Sequence, residues 1–128
     1  MMCRTFGTDL AKVSLERDSH LMPRYLWQVS YTVEGAKGLA SEGGSARRDA
    51  VRTMFEDAGG NIEAFYYAFG ADDLIVIGEL PDNEAAAAFA LRTAASGAAR
   101  SRTTLLLSPE EIDQAASREV HYRPPSAP

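Results

Sequence analysis

The chain has 128 residues, 45% of them hydrophobic and 24% charged, with a formal net charge of −5. That length suits one compact domain with a single core, and no apolar run approaches the ~20 residues that a membrane-spanning helix needs. Between Pro23 and Ser117, 8 Lys/Arg stand against 14 Asp/Glu, a balance that repels phosphate backbones and makes nucleic acid a poor partner.

The first stretch, "MMCRTFGTDLAKVSLERDSH", shows no clean helical or strand period. It also lacks the apolar run and small-residue cleavage site of a secretory signal, so a cytoplasmic protein is expected. Residues 1–22 read as a flexible extension, either an arm or the product of a start codon upstream of Met22. Cys3 is the single cysteine; it can form no disulfide within the chain and builds no thiolate metal site.

The ordered domain is expected over residues 23–117. "RYLWQVSYT" (24–32) alternates, with Tyr25, Trp27, Val29 and Tyr31 on one face and Leu26, Gln28 and Ser30 on the other, which predicts a strand. "VEGAKGLASEGG" predicts a short helical turn and a break at Gly43-Gly44. Ser45 is the expected N-cap of a helix reaching about Ala58, which Gly59-Gly60 stops. "NIEAFYYAF" (61–69) and "LIVIGEL" (74–80) predict two strands joined by "GADD". Asp82 caps an alanine-rich helix to about Ser96, and Gly97 stops it. "RTTLLL" (102–107) predicts a fourth strand. "SPEE" (108–111) carries a serine cap, proline at the first helical position and glutamate three after the cap, and so predicts a final short helix. The proline-rich end, residues 118–128, is expected to be disordered.

The order β-α-β-β-α-β with a C-terminal helix is the split βαβ, ferredoxin-like arrangement of the α+β class, with both main helices on one sheet face. The other face then poses a problem. Strict alternation over 61–69 puts Ile62, Ala64, Tyr66 and Ala68 on one side and Phe65, Tyr67 and Phe69 on the other, so neither is polar; "LIVI" has no polar side either. A solvated face should alternate with polar residues, and a large apolar patch marks an interface. The expectation is a homodimer through the sheet face, a dimeric α+β barrel.

The stretches "YLWQVSYTVEGAKGL", "EGGSARRDAV", "GGNIEAFYYAFGADDLIVIGELPDNEAAAAFAL" and "SGAARSRTTLLLSPEEIDQA" together resemble the GYD domain family over roughly residues 23 to 116. The resemblance implies a ferredoxin-like fold related to dimeric α+β barrels, and no established activity. The family's Gly, Tyr, Asp signature falls at the turn between the second and third strands. Gly70 and Asp73 match it, whereas Asp72 stands at the tyrosine position and leaves Asp73 as the signature's only side chain for polar work.

Candidate chemistry is sparse. Gly-Ala-Asp-Asp is what a tight turn needs; if the strand begins there, adjacent residues point to opposite faces and Asp72 and Asp73 do not easily share a proton. No histidine or third acid stands at metal-ligand spacing, and no metal or cofactor is implied. Arg47 is the exception: on a helical wheel it lies in line with Val51, Met54 and Ala58, near the centre of the apolar face. A guanidinium there either snorkels outward, pairs with an acid such as Asp73 or Glu63, or grips a small anionic or carbonyl-bearing ligand.

The aromatics admit core and interface packing, a substrate pocket, or RNA stacking. The acidic charge and the missing basic third-strand signature oppose the last. The candidate ligand-binding set is therefore Arg47, Asp73, Tyr66, Tyr31 and Trp27. The leading expectation is a homodimeric barrel that binds a small organic molecule. Its competitors are a cofactor-independent monooxygenase or isomerase, an analogy of fold alone, and a non-catalytic protein-interaction module.

Overall fold

The structure, a computed structural model, describes residues 22–126. The expected N-terminal extension, with Cys3 and His20, lies outside this range apart from Met22, as do the last two residues of the expected tail. The elements are β1 (Arg24–Tyr31), α1 (Val33–Glu42), α2 (Gly44–Asp57), β2 (Asn61–Tyr67), β3 (Leu74–Glu79), α3 (Asn83–Ser96), β4 (Ala99–Leu106) and α4 (Pro109–Ser117). The sheet order is β2-β3-β1-β4 with every neighbouring pair antiparallel, so the ferredoxin-like α+β arrangement holds.

Alternation on β1 has the expected consequence. Tyr25 and Trp27 are buried and join Leu74 and Val76 of β3, Phe55 of α2 and Ala86 of α3 in the core. Trp27 meets Phe55 edge-on at 5.1 Å between ring centres, and Phe55 meets Phe89 edge-on at 5.0 Å, the geometry that ring quadrupoles favour. The α3 boundaries follow from local chemistry: the Asp82 carboxylate accepts from Ala85 N–H at 2.9 Å, and Gly97 takes the left-handed conformation. The capping box on α4 is complete, with Ser108 and Glu111 each bonding the other's backbone N–H.

Three expectations about the elements are corrected. The glycine-rich stretch after β1 is a full ten-residue helix, capped by Thr32, whose hydroxyl accepts from Gly35 N–H at 3.2 Å. Gly35 is there because α1 lies hard against the chain before β4: a Cβ would stand 1.9 Å from the Ala98 carbonyl oxygen. Gly43, not Ser45, is the N-cap of α2. Its φ of 94° lets one residue end α1 and begin α2, and no side chain caps the helix. The fourth strand begins at Ala99 rather than at residue 102, because Tyr31, Ser30 and Val29 pair with Ala99, Arg100 and Ser101.

A fourth correction concerns the sheet faces. β2 is bulged between Ile62 and Ala64, and an extra residue reverses the parity of everything before it. Ile62 and Phe65 therefore both pack on the core. The uncovered face carries, in register, the row Ala64, Ile77, Leu26, Thr104 and the row Tyr66, Ile75, Gln28, Arg102. Over these two rows its β2-β3 half is apolar, with Tyr66 70% exposed, and its β4 half is polar and basic; the next row, Asn61, Glu79 and Arg24, is a charged network in which Asn61 and Arg24 both donate to Glu79.

Candidate functional site

The helices that cover the sheet stand apart. α2 packs over β2 and α3 over β4. Between them lies a cleft of about 450 Å³, floored by Trp27, Val29 and Tyr31 of β1, Leu74 and Val76 of β3, and Ala99 and Ser101 of β4. Arg47, Val51, Met54 and Phe55 form one wall, and Ala88, Phe89, Arg92, Thr93 and Ser96 the other. That volume lies in the ordinary range of small-molecule sites, ~300–1,000 Å³.

The cleft has two unlike ends. Trp27, Phe55 and Phe89 make an aromatic end through their mutual ring contacts. Tyr31 at the far end of β1 pairs with Ala99, just beyond the C-terminus of α3, and its phenol feels the charge of Arg47. Tyr31, Arg47 and Ser96 therefore mark a polar end, with Arg92 one helical turn before Ser96. The Trp27 ring is 5% exposed, and its indole nitrogen is buried without a hydrogen-bond partner among the described residues. An unspent buried donor costs about 1–3 kcal/mol.

Electrostatics at the polar end are set by neighbours already engaged with each other. The Arg47 fork grips Glu42, with Nε 3.0 Å from Oε1 and Nη2 3.2 Å from Oε2. The acid on the preceding helix is thus the partner, while Glu63 pairs with Arg24 at 2.9 Å. Burial is the main reason that the Tyr31 phenol titrates above its ordinary value; Tyr67, Asp73 and Glu42 push the same way, and Arg47 opposes them. The Tyr67 phenol is also raised by burial, and it donates to the Gly44 carbonyl at 3.0 Å. Both phenols stay protonated at neutral pH, Tyr67 with its proton spent on Gly44.

Of the residues singled out from sequence, Trp27, Tyr31 and Arg47 come together in the cleft. Asp73 does not line it. Its carboxylate accepts from the Tyr31 backbone N–H at 2.8 Å, which fixes the end of β1 and with it the Tyr31 ring. Tyr66 stands on the opposite, uncovered face. Asp72 also lies on that side, where it accepts from Gln28, Ser30 and Arg102, the last at 2.7 Å. The adjacent carboxylates of this turn thus go to different places, Asp73 to the backbone at the end of β1 and Asp72 to the uncovered face.

Sequence reasoning missed Arg92, Thr93 and Ser96. A signal existed: Ala88, Phe89, Arg92, Thr93 and Ser96 follow the i, i+4, i+8 spacing of one helix face. The alanine run hid it by making every face of α3 look equally apolar. Among the described residues no group of three or more His, Cys, Asp or Glu can hold a metal ion, and no helix is long and apolar enough to cross a membrane.

The sequence matches the GYD domain family over residues 25–116. The match spans most of the chain, and the protein belongs to that family. No curated protein and no solved structure matches it.

Proposed function

We propose that this GYD-domain protein works as a homodimer whose subunits each hold a small organic molecule in the cleft between the sheet and helices α2 and α3. The observation that carries this reading is the cleft itself: about 450 Å³, aromatic at one end, with Tyr31, Arg47 and Arg92 among its walls. The cleft is concave and mostly apolar with a few polar groups at one end, the make-up of small-molecule sites in general. Binding is favoured over catalysis by proton abstraction, because the cleft offers no base. Among the described residues its lining includes no carboxylate and no imidazole, and the Tyr31 phenol is held in its protonated form.

The dimer rests on the uncovered face. Leu26, Ala64, Tyr66, Ile75 and Ile77 share it, and the 70% exposure of Tyr66 leaves a large amphipathic ring for a second copy to cover. A twofold arrangement makes one patch serve both partners.

Two measurements test the proposal. A metabolite screen by thermal shift compares the wild type with Ser101→Phe, which fills the cleft from its floor. A ligand at a hundred times its dissociation constant stabilises the folded state by about 2.7 kcal/mol, a rise of roughly 10 °C or more in a domain of this size. The expected result is a rise in the wild type that Ser101→Phe abolishes; equal stabilisation of both proteins refutes the cleft. Light scattering should return a dimer, and Tyr66→Asp a monomer that remains folded. A monomeric wild type at micromolar concentration refutes the sheet interface.

A further inference from the structure

The two arginines of the cleft are not equivalent. Arg47 already has a carboxylate in its fork, and an incoming anion would have to displace Glu42. Arg48 and Arg52, on the same helix, both bond Asp49. Arg92 also lines the cleft, and no ion pair or hydrogen bond occupies its side chain among the described residues. Around it, the Thr93 and Ser101 hydroxyls and the Tyr31 phenol donate to no acceptor among the described residues. The Ser96 hydroxyl is spent, donating to the Thr93 carbonyl at 2.7 Å and accepting from Ala98 N–H at 3.1 Å.

We infer that the ligand is a monoanion with a mostly apolar, aromatic body, and that Arg92 takes its charge. This rests on the cleft being a ligand site. Among the described residues Arg47 and Glu42 compensate each other, whereas Arg92 at the cleft wall has no counter-charge, and one negative charge neutralises it. A dianion would keep one charge unpaired in a half-buried site and lose its hydration without a counter-charge in return. The planar Arg92 fork suits a carboxylate or sulfonate. Free hydroxyls beside it supply further donors, and the half-buried Phe89 and Val29, backed by the buried Trp27 and Phe55, offer apolar surface to an aryl ring. Arg47 then acts from a distance, its bond to Glu42 holding the polar end in shape.

A matched pair of fluorescent probes tests this. 1-Anilinonaphthalene-8-sulfonate is a monoanion, and N-phenyl-1-naphthylamine has the same body without the sulfonate. The wild type is expected to bind the anion at least about tenfold more tightly, the scale of one charge-assisted contact. Arg92→Gln should erase that preference, and the double variant Arg47→Gln/Glu42→Gln, which removes one charge of each sign together, should keep it. Circular dichroism confirms that each variant is folded, which the exposure of Arg92 makes the expected result. Equal wild-type affinity for the two probes overturns the inference, as does an unchanged preference in Arg92→Gln; in either case the cleft stands, provided Ser101→Phe excludes both probes. Binding that Ser101→Phe leaves intact, or no binding of either probe, overturns the cleft and the inference with it.

Discussion

Replacing Asp73 by alanine removes one bond and leaves the turn around it otherwise intact. The backbone N–H of Asp73 donates to the Val29 carbonyl at 2.8 Å, and its carbonyl accepts from Ala68 N–H at 2.9 Å; both survive the substitution. What disappears is the 2.8 Å bond from the Tyr31 N–H to the carboxylate. Hydrogen bonds to a charged group contribute about 1.5–3 kcal/mol. Tyr31 is only half-buried, so water reaches the freed N–H in part and the loss falls in the lower half, about 1.5–2 kcal/mol. With a urea slope of about 1.5 kcal/mol/M, the unfolding midpoint drops by roughly 1 M. Asp73→Asn keeps an acceptor oxygen without the charge and should lose about half as much.

The same substitution loosens the end of β1, and Tyr31 is the cleft's floor there. Asp73→Ala should therefore also weaken binding of the anilinonaphthalene probe, although Asp73 itself does not line the cleft. Urea titration followed by Trp27 fluorescence, with probe binding measured on the same samples, reads both effects. A midpoint within about 0.3 M of wild type in Asp73→Ala would refute the reasoning, because a family-signature carboxylate bonded to a strand end would then be idle.

Two further expectations follow from packing and from protons. Gly35→Ala drives a methyl into the Ala98 carbonyl, whereas a methyl on Gly38, one turn on, would meet nothing within 4 Å. The first should lose about 3 kcal/mol or more and the second gain about 0.5–1 kcal/mol, by urea denaturation, and similar values for the two would contradict the placement of α1. Tyr25, Tyr31 and Tyr67 are all raised above the ordinary value of 10.0, mainly by burial. Their stabilising effect is complete below pH 10 and lost as pH rises through the higher folded-state values. The melting temperature should fall more steeply above pH 10 in wild type than in Tyr31→Phe; parallel curves would show that burial does not hold this phenol.

How far the chain could be read in advance depended on whether a signal was local. The α3 boundaries and the capping box on α4 needed only neighbouring residues, and both agree with the structure. The long α1 helix did not announce itself, because Gly35 and Gly38 look like helix breakers until one of them is seen to lie against Ala98; tertiary contact overrides propensity there. Likewise the bulge between Ile62 and Ala64 leaves no mark in a strand that is apolar at nearly every position. A strict period of two then misassigned Ile62 and overstated how apolar the uncovered face is. Arg47 was rightly placed on the inward stripe of α2, but its partner came from the end of α1, an element read as a turn.

The turn that carries the family signature explains why so little activity could be read from it. Its two carboxylates are both engaged in architecture. Asp73 holds the end of β1 by a backbone N–H. Asp72, 13% exposed at its side chain, takes the Arg102 guanidinium at 2.7 Å and so ties the β3 end of the uncovered face to β4. The phenol of the family pattern, were it at position 72, would stand beside Gln28, Ser30 and Arg102 on that face and not in the cleft. The signature therefore governs how the sheet ends and what its open side presents, while the residues that give the cleft its chemistry, Arg92 above all, lie on a helix face where an alanine run conceals them. A search for the ligand should accordingly begin from the stripe on α3 rather than from the turn.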